Sequence, residues 1–176
     1  LSLQTVVWDF PLLLWAKLLN SWPGNWRAFG PFYSEINEKI AVGSLPFETD
    51  IPYLTGKGVR GVINMTREYD GPVHLYKRHD IRHIHLRTPD LMEPRLEDLV
   101  EGVKFIKALE EQGGGKVFIH CKGGRGRAVS MALCYLLSQG MDIPSAMSLI
   151  KAKRYVAAGV IAKSAVVREF SRLYAS

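Results

Sequence analysis

The stretch Val117-Phe118-Ile119-His120-Cys121-Lys122-Gly123-Gly124-Arg125-Gly126-Arg127-Ala128 decides how the rest of the chain is read. An apolar run over Lys116–His120 predicts a short strand. A glycine-rich turn follows, then a helix from about Arg127 to Gln139, closed by Gly140. A strand that turns this tightly into a helix aims successive backbone N–H groups into one concavity, a nest for an anion. The helix N-terminus adds its positive dipole end. Gly123, Gly124 and Gly126 let the backbone curl and come close to a ligand. Cys121 opens the nest, where N–H groups and cations favour a thiolate. A thiolate there can attack phosphorus and form a phospho-cysteine. Arg127 closes the loop, and its planar fork can hold two phosphate oxygens. No Gly-Lys-Ser/Thr ends the turn, which excludes a Walker-type nucleotide loop. The other cysteine, Cys134, sits mid-helix among Leu133, Leu136 and Leu137 and reads as core.

Outward from this loop the pattern alternates. Lys39–Val42, Gly58–Met65 and Arg82–Leu86 read as strands. Glu93–Gln112 reads as an amphipathic helix, with Leu96, Leu99, Val100, Val103, Ile106 and Leu109 at helical spacing. Two more helices are expected near Pro144–Arg154 and Lys163–Ala175. Such alternation predicts an α/β fold, a central mostly parallel twisted sheet flanked by helices. The 176 residues suit one domain, placed at 31–176, behind a Trp/Leu-rich segment at 1–30. Trp8, Trp15 and Trp22 recur at sevens in that segment and predict a helix. It either packs on the domain or anchors at a membrane interface. Its apolar run is too short and too broken by Asp9, Pro11 and Lys17 to span a bilayer. The chain opens at Leu1 rather than Met, so a processed or truncated product is expected, with any targeting peptide outside it.

Bulk composition narrows the partners. The net charge is +6, from 23 Lys+Arg against 17 Asp+Glu, which favours acidic partners. Two cysteines are too few for a disulfide framework and fit a reducing compartment. The five histidines, His74, His79, His83, His85 and His120, form no metal-ligand motif, so neither metal nor cofactor is expected.

The segment His120-Cys121-Lys122-Gly123-Gly124-Arg125-Gly126-Arg127-Ala128 resembles the signature loop of the Cys-X5-Arg protein-tyrosine/dual-specificity phosphatase superfamily. The likeness extends over roughly residues 32–174. It is greatest to the mitochondrial protein-tyrosine-phosphatase-like enzymes that dephosphorylate phosphatidylglycerophosphate. Ile40-Ala41-Val42-Gly43-Ser44-Leu45-Pro46, Gly61-Val62-Ile63-Asn64-Met65 and Glu68-Tyr69 also carry it. The resemblance implies a dual-specificity-phosphatase-like fold, with Cys121 as nucleophile and Arg127 as phosphate clamp. His120 tunes the thiolate, and Lys122, Gly123, Gly124, Arg125 and Gly126 bind substrate. A general acid is needed on an upstream loop. Asp90 is the best match, with a helix-capping role as its structural alternative and Asp70 as its rival. Two departures stand out. Ala128 replaces the usual Ser or Thr, whose hydroxyl helps the thiolate leave phosphorus. No glutamine follows Gln139 to orient the hydrolytic water, so Asp90 would serve as base.

The implied substrate is an anionic phospholipid, phosphatidylglycerophosphate, converted to phosphatidylglycerol on the way to cardiolipin. Lys122 and Arg125 suit it by adding cations to the loop, unless they point to solvent. A membrane-surface enzyme on the matrix face of the mitochondrial inner membrane follows, monomeric and without nucleic-acid partners. The alternatives are a dual-specificity protein phosphatase acting on phosphotyrosine or phosphothreonine, a phosphoinositide phosphatase, and a phosphate-binding module with weak turnover.

Overall fold

The computed structural model describes residues 26–27, 30–157, 161 and 164–174. Within the segment expected to be helical at 1–30, Trp26–Arg27 (β1) is extended and pairs antiparallel with Gly30–Pro31 (β2). Proline cannot continue a hydrogen-bonded ladder as a donor, so this pair stays short. Trp8, Trp15 and Trp22 lie outside the described residues.

Five further strands form one sheet: Tyr33–Glu35 (β3), Ile40–Gly43 (β4), Val59–Thr66 (β5), Arg82–Thr88 (β6) and Lys116–His120 (β7). Their order is β3-β4-β7-β5-β6. β3 runs antiparallel to β4, and the other neighbours are parallel. The mostly parallel sheet is therefore as expected, and β7 lies at its centre. Successive side chains of a strand point to opposite faces, and β7 shows it. Val117 and Ile119 enter the larger core, while Phe118 enters a smaller one with Phe32, Tyr33, Val62 and Tyr76.

Two short helices, Ile51–Gly56 (α1) and Val73–Arg78 (α2), went unread in the sequence. They bury Ile51, Leu54 and Tyr76 in the smaller core. The larger core is covered by Leu96–Glu111 (α3), Arg127–Ser138 (α4), Ile143–Lys153 (α5) and Ala165–Tyr174 (α6). α4 is buried on nearly every side because it packs against α3, α5, α6 and the sheet strands β4, β5 and β7. Against α3 the approach is so close that a Cβ on Gly102 would overlap the Met131 sulfur. The expected start of α3 at Glu93 moves to Leu96. Pro94 disfavours a helical conformation at Glu93, and Arg95 is an extended N-cap. α5 starts one residue early because the Asp142 carboxylate accepts the Ser145 N–H at 2.7 Å.

Candidate active site

The loop Cys121–Gly126 leaves the C-terminal end of central β7 and enters buried α4, the edge where open parallel sheets bind ligands. Three successive carbonyls of the loop are held on its outer side. Lys122 O accepts Leu45 N–H at 3.4 Å. Gly123 O and Gly124 O accept the Arg154 guanidinium at 2.9 and 2.5 Å. In a trans peptide the N–H points opposite to the C=O. The N–H groups of Gly123, Gly124 and Arg125 therefore face inward, and the nest follows from where the carbonyls go. Gly124 has φ +64, and a Cβ there would collide with Gly43 O and come within 2.5 Å of Arg154. The other loop glycines are less demanding: Gly123 is not in the left-handed region, and a Cβ on Gly126 would meet open space.

Arg154 also donates to Pro31 O, Ser34 Oγ and Val42 O at 2.8, 3.1 and 3.3 Å. It is buried with no carboxylate partner among these. Burial pushes it down to about 10, and the nearby Arg125 charge acts in the same direction, against an opposing contribution from Cys121. In the sequence Arg154 stood out only as the end of the helix expected near Pro144–Arg154. Nothing local distinguishes a cation that turns inward.

In front of the loop the charges are of both signs. Arg127 forms a bidentate pair with Glu68 at 3.0 and 3.1 Å. It also donates to Asp90 Oδ1 and Thr88 O, both at 2.8 Å. Lys122 Nζ lies 3.2 Å from Asp90 Oδ2, so one carboxylate bridges the two loop cations. Burial alone would lower Arg127, but the Glu68 hydrogen bonds and the Cys121, Glu68 and Asp90 charges outweigh it and hold it above its ordinary value. Glu68 sits on a loop that Asn64 ties down, donating to Tyr69 O at 2.6 Å and accepting Thr66 N–H at 2.9 Å. Tyr69 itself donates to Pro46 O at 2.7 Å. The Glu68-Tyr69 pair marked the family likeness, but only the fold shows that Glu68 grips Arg127.

Cys121 is buried at the mouth of α4, its N–H 3.4 Å from Gly43 O. His120 stacks on Phe118 with ring centroids 5.8 Å apart, and neither of its ring nitrogens completes a hydrogen bond. Burial, helped by the nearby His85 and Arg127, pushes it down to about 3 and keeps the imidazole neutral. Asp90 caps no helix. The rival Asp70 is turned away, largely exposed, and paired with Arg87 at 3.0 Å and His85 at 3.4 Å. Arg125 lines the cleft, but its guanidinium lies over the Tyr155 ring, 4.1 Å from the centroid. Ala128 is fully buried, so a methyl group fills the position of the family's hydroxyl.

The cleft above the loop has a volume of about 460 Å³. Cys121, Lys122 and Arg127 line its charged end, and Pro94, Ala157 and Ile161 give apolar walls. Among the described residues no group of three or more His, Cys, Asp or Glu is arranged to hold a metal ion.

Residues 43–165 match the family model described as dual specificity phosphatase, catalytic domain. A curated relative from Arabidopsis thaliana, phosphatidylglycerophosphate phosphatase PTPMT2, is 33% identical over 146 residues, 81% of this chain and 64% of the relative. The human phosphatidylglycerophosphatase and protein-tyrosine phosphatase 1 is 34% identical over 136 residues, 73% of this chain and 66% of its own length. The chain thus spans a little under two thirds of these relatives. The crystal structure of PTPMT1 superposes with a TM-score of 0.71 at 27% identity, covering 81% of this chain and 96% of that one. A complex of PTPMT1 with PI(5)P gives the same TM-score at 25% identity, covering 82% and 97%. With the match running from Gly43 at the end of β4 to Ala165 at the start of α6, the chain belongs to the dual-specificity phosphatase family and carries its catalytic domain.

Proposed function

We propose that this chain hydrolyses the terminal phosphomonoester of phosphatidylglycerophosphate, yielding phosphatidylglycerol and inorganic phosphate. The single observation that carries the reading is the second cation, Lys122, set beside Arg127 at the charged end of the cleft. A ligand with a monoester and a nearby diester offers charge to both. The names of the 33% and 34% identical relatives support the same substrate class.

The entering phosphate takes Arg127 and Lys122 from Asp90 and settles on the N–H groups of the loop. The Cys121 thiolate attacks phosphorus as the ester P–O bond breaks. Asp90, freed from the two cations, takes up a proton from water and passes it to the leaving glycerol oxygen. Water then attacks the phospho-cysteine and loses a proton to Asp90, the S–P bond breaks, and the thiolate is restored. Ala128 offers that departing thiolate no hydrogen bond. Glu68 keeps the Arg127 fork planar to the phosphate, and Arg154 keeps the N–H groups aimed inward. The substrate places the enzyme at an anionic membrane, and the mitochondrial inner membrane, where cardiolipin is made from phosphatidylglycerol, fits it. Among the described residues no helix is long and apolar enough to cross a membrane.

A second reading, phosphoinositide hydrolysis, is favoured by the PI(5)P complex of the structural relative. Phosphate release from phosphatidylglycerophosphate, PI(5)P and a phosphotyrosine peptide, compared side by side, tests both. The expected order puts phosphatidylglycerophosphate first, with Cys121→Ser binding phosphate but inactive on all three. A clear preference for the peptide would overturn the lipid reading, and turnover by Cys121→Ser would overturn the nucleophile.

A further inference from the structure

Between the strand that ends at Thr88 and helix α3, the chain makes a turn closed by the Met92 N–H on Pro89 O at 3.2 Å. Leu91 sits at its tip with φ +62 and is 96% exposed, and Met92 is 62% exposed. Glycine or asparagine suits a left-handed position, whereas leucine is strained there. A leucine that is both strained and exposed contributes nothing to the fold. Five large apolar side chains are left exposed among the described residues. Tyr53 and Leu173 belong to α1 and α6. Leu91 and Met92 line the cleft, and Tyr155 lies under Arg125, another lining residue.

Charged side chains of both signs surround the turn. Arg87 and Arg95 flank the turn, with side chains 60% and 75% exposed, and each carries one acidic partner, Asp70 and Asp98. Lys122, Arg125 and Arg127 line the cleft beside the turn, and Asp90 and Glu93 are the acidic groups among the lining residues. Apolar side chains at a tip, with the exposed Arg87 and Arg95 to either side, suit an anionic bilayer: the tip enters the acyl boundary and the arginines meet the head groups.

We infer that the Leu91–Met92 turn is a membrane-docking element that inserts into an anionic phospholipid surface and delivers the lipid phosphate to Cys121. The residue before the tip is Asp90, so docking and the acid share one turn. This deepens the lipid reading above and rests on it.

The test uses the full chain carrying Leu91→Asn with Met92→Gln. Asparagine tolerates the left-handed tip, so the turn is kept while its apolar surface is removed. Phosphate release is measured from phosphatidylglycerophosphate embedded in phosphatidylglycerol vesicles and from its dihexanoyl form, dissolved as monomers. The expected result is a loss of about tenfold or more on vesicles with monomer turnover held within about twofold, and recovery of vesicle turnover in Leu91→Phe. Equal losses on both forms, or no loss on either, would overturn the docking role. If the parent protein releases phosphate from neither lipid, the substrate reading falls and the docking role is judged by sedimentation with phosphatidylglycerol vesicles. Reduced sedimentation of the double variant then upholds it, and unchanged sedimentation sinks it.

Discussion

Two arginines, each no more than 5% exposed, face the same loop from opposite sides. In front, Arg127 meets two carboxylates, Glu68 and Asp90, and one carbonyl. Behind, Arg154 meets four carbonyls and one hydroxyl. The front arrangement is charged and exchangeable, because a phosphate can replace Asp90. The back arrangement is a fixed set of neutral acceptors from β2, β3, β4 and the loop itself. Identical side chains are therefore set for separate work: in the proposed mechanism Arg127 binds the phosphate, while Arg154 holds the loop that would receive it.

That division breaks if exchange of the two arginines gives one phenotype. Arg127→Lys keeps a cation for Glu68 but loses the fork on phosphate. Turnover should fall about 10³-fold with thermal stability little changed. Arg154→Met leaves Gly123 and Gly124 carbonyls unpaired in the interior, and stability should drop by about 3 kcal/mol by urea titration. Phosphate affinity should weaken with it. A stable Arg154→Met protein that binds phosphate normally would dissolve the comparison.

Asp90→Asn sharpens the front side alone. Alkyl phosphate turnover should fall about 10²-fold or more, and an aryl phosphate with an acidic leaving group should lose much less. Equal losses would remove Asp90 as the acid.

Beside the loop, neutral His120 gives a pH signature. Its folded value near 3 lies below the ordinary 6.5, so the unfolded chain binds the extra proton between them. Its contribution is present above pH 6.5 and is lost as the pH falls toward 3. Between pH 7 and pH 5 it should cost the fold about 2 kcal/mol. His120→Gln should flatten that part of the urea-stability profile, and an unchanged slope would mean that the imidazole is not neutral in the fold. The smallest effect expected is at Ala128→Ser. A hydroxyl there should speed the second step about threefold and shrink the burst of leaving group in rapid-mixing traces. An unchanged burst would show that the missing hydroxyl does not limit turnover.

The parts legible in the sequence were those in which neighbours in the chain are neighbours in space. The apolar run before His120, the glycines and the helix after Arg127 are contiguous, so the strand, loop and helix could be read together, with Cys121 at the start of the loop. The place of Asp90, the proposed acid, was legible because it follows one strand and precedes one helix, which puts it on a loop. Glu68 and Arg154 reach the loop from 59 and 30 residues away, and each looks in sequence like a solvated charge. Their partners are a guanidinium across the sheet edge and backbone carbonyls, and carbonyls leave no trace in residue identity. The helices α1 and α2 were missed for a related reason: six residues each give too few turns for a period to show.

The Asp90 bridge across Arg127 and Lys122 has a consequence for the company that the enzyme keeps in salt water. With Asp90 on both cations and Glu68 on Arg127, the resting pair is already neutralised, and a halide with one charge and no geometry to match the fork gains little by entering. A doubly charged phosphate, with oxygens for the fork, the ammonium and the inward N–H groups together, gains enough to turn the carboxylate out. Under the proposed mechanism the internal anion would thus work as a threshold on visitors, admitting phosphate esters from a background of chloride. Inhibition by inorganic phosphate that persists in chloride buffers, with chloride itself nearly without effect, is the behaviour that such a threshold produces.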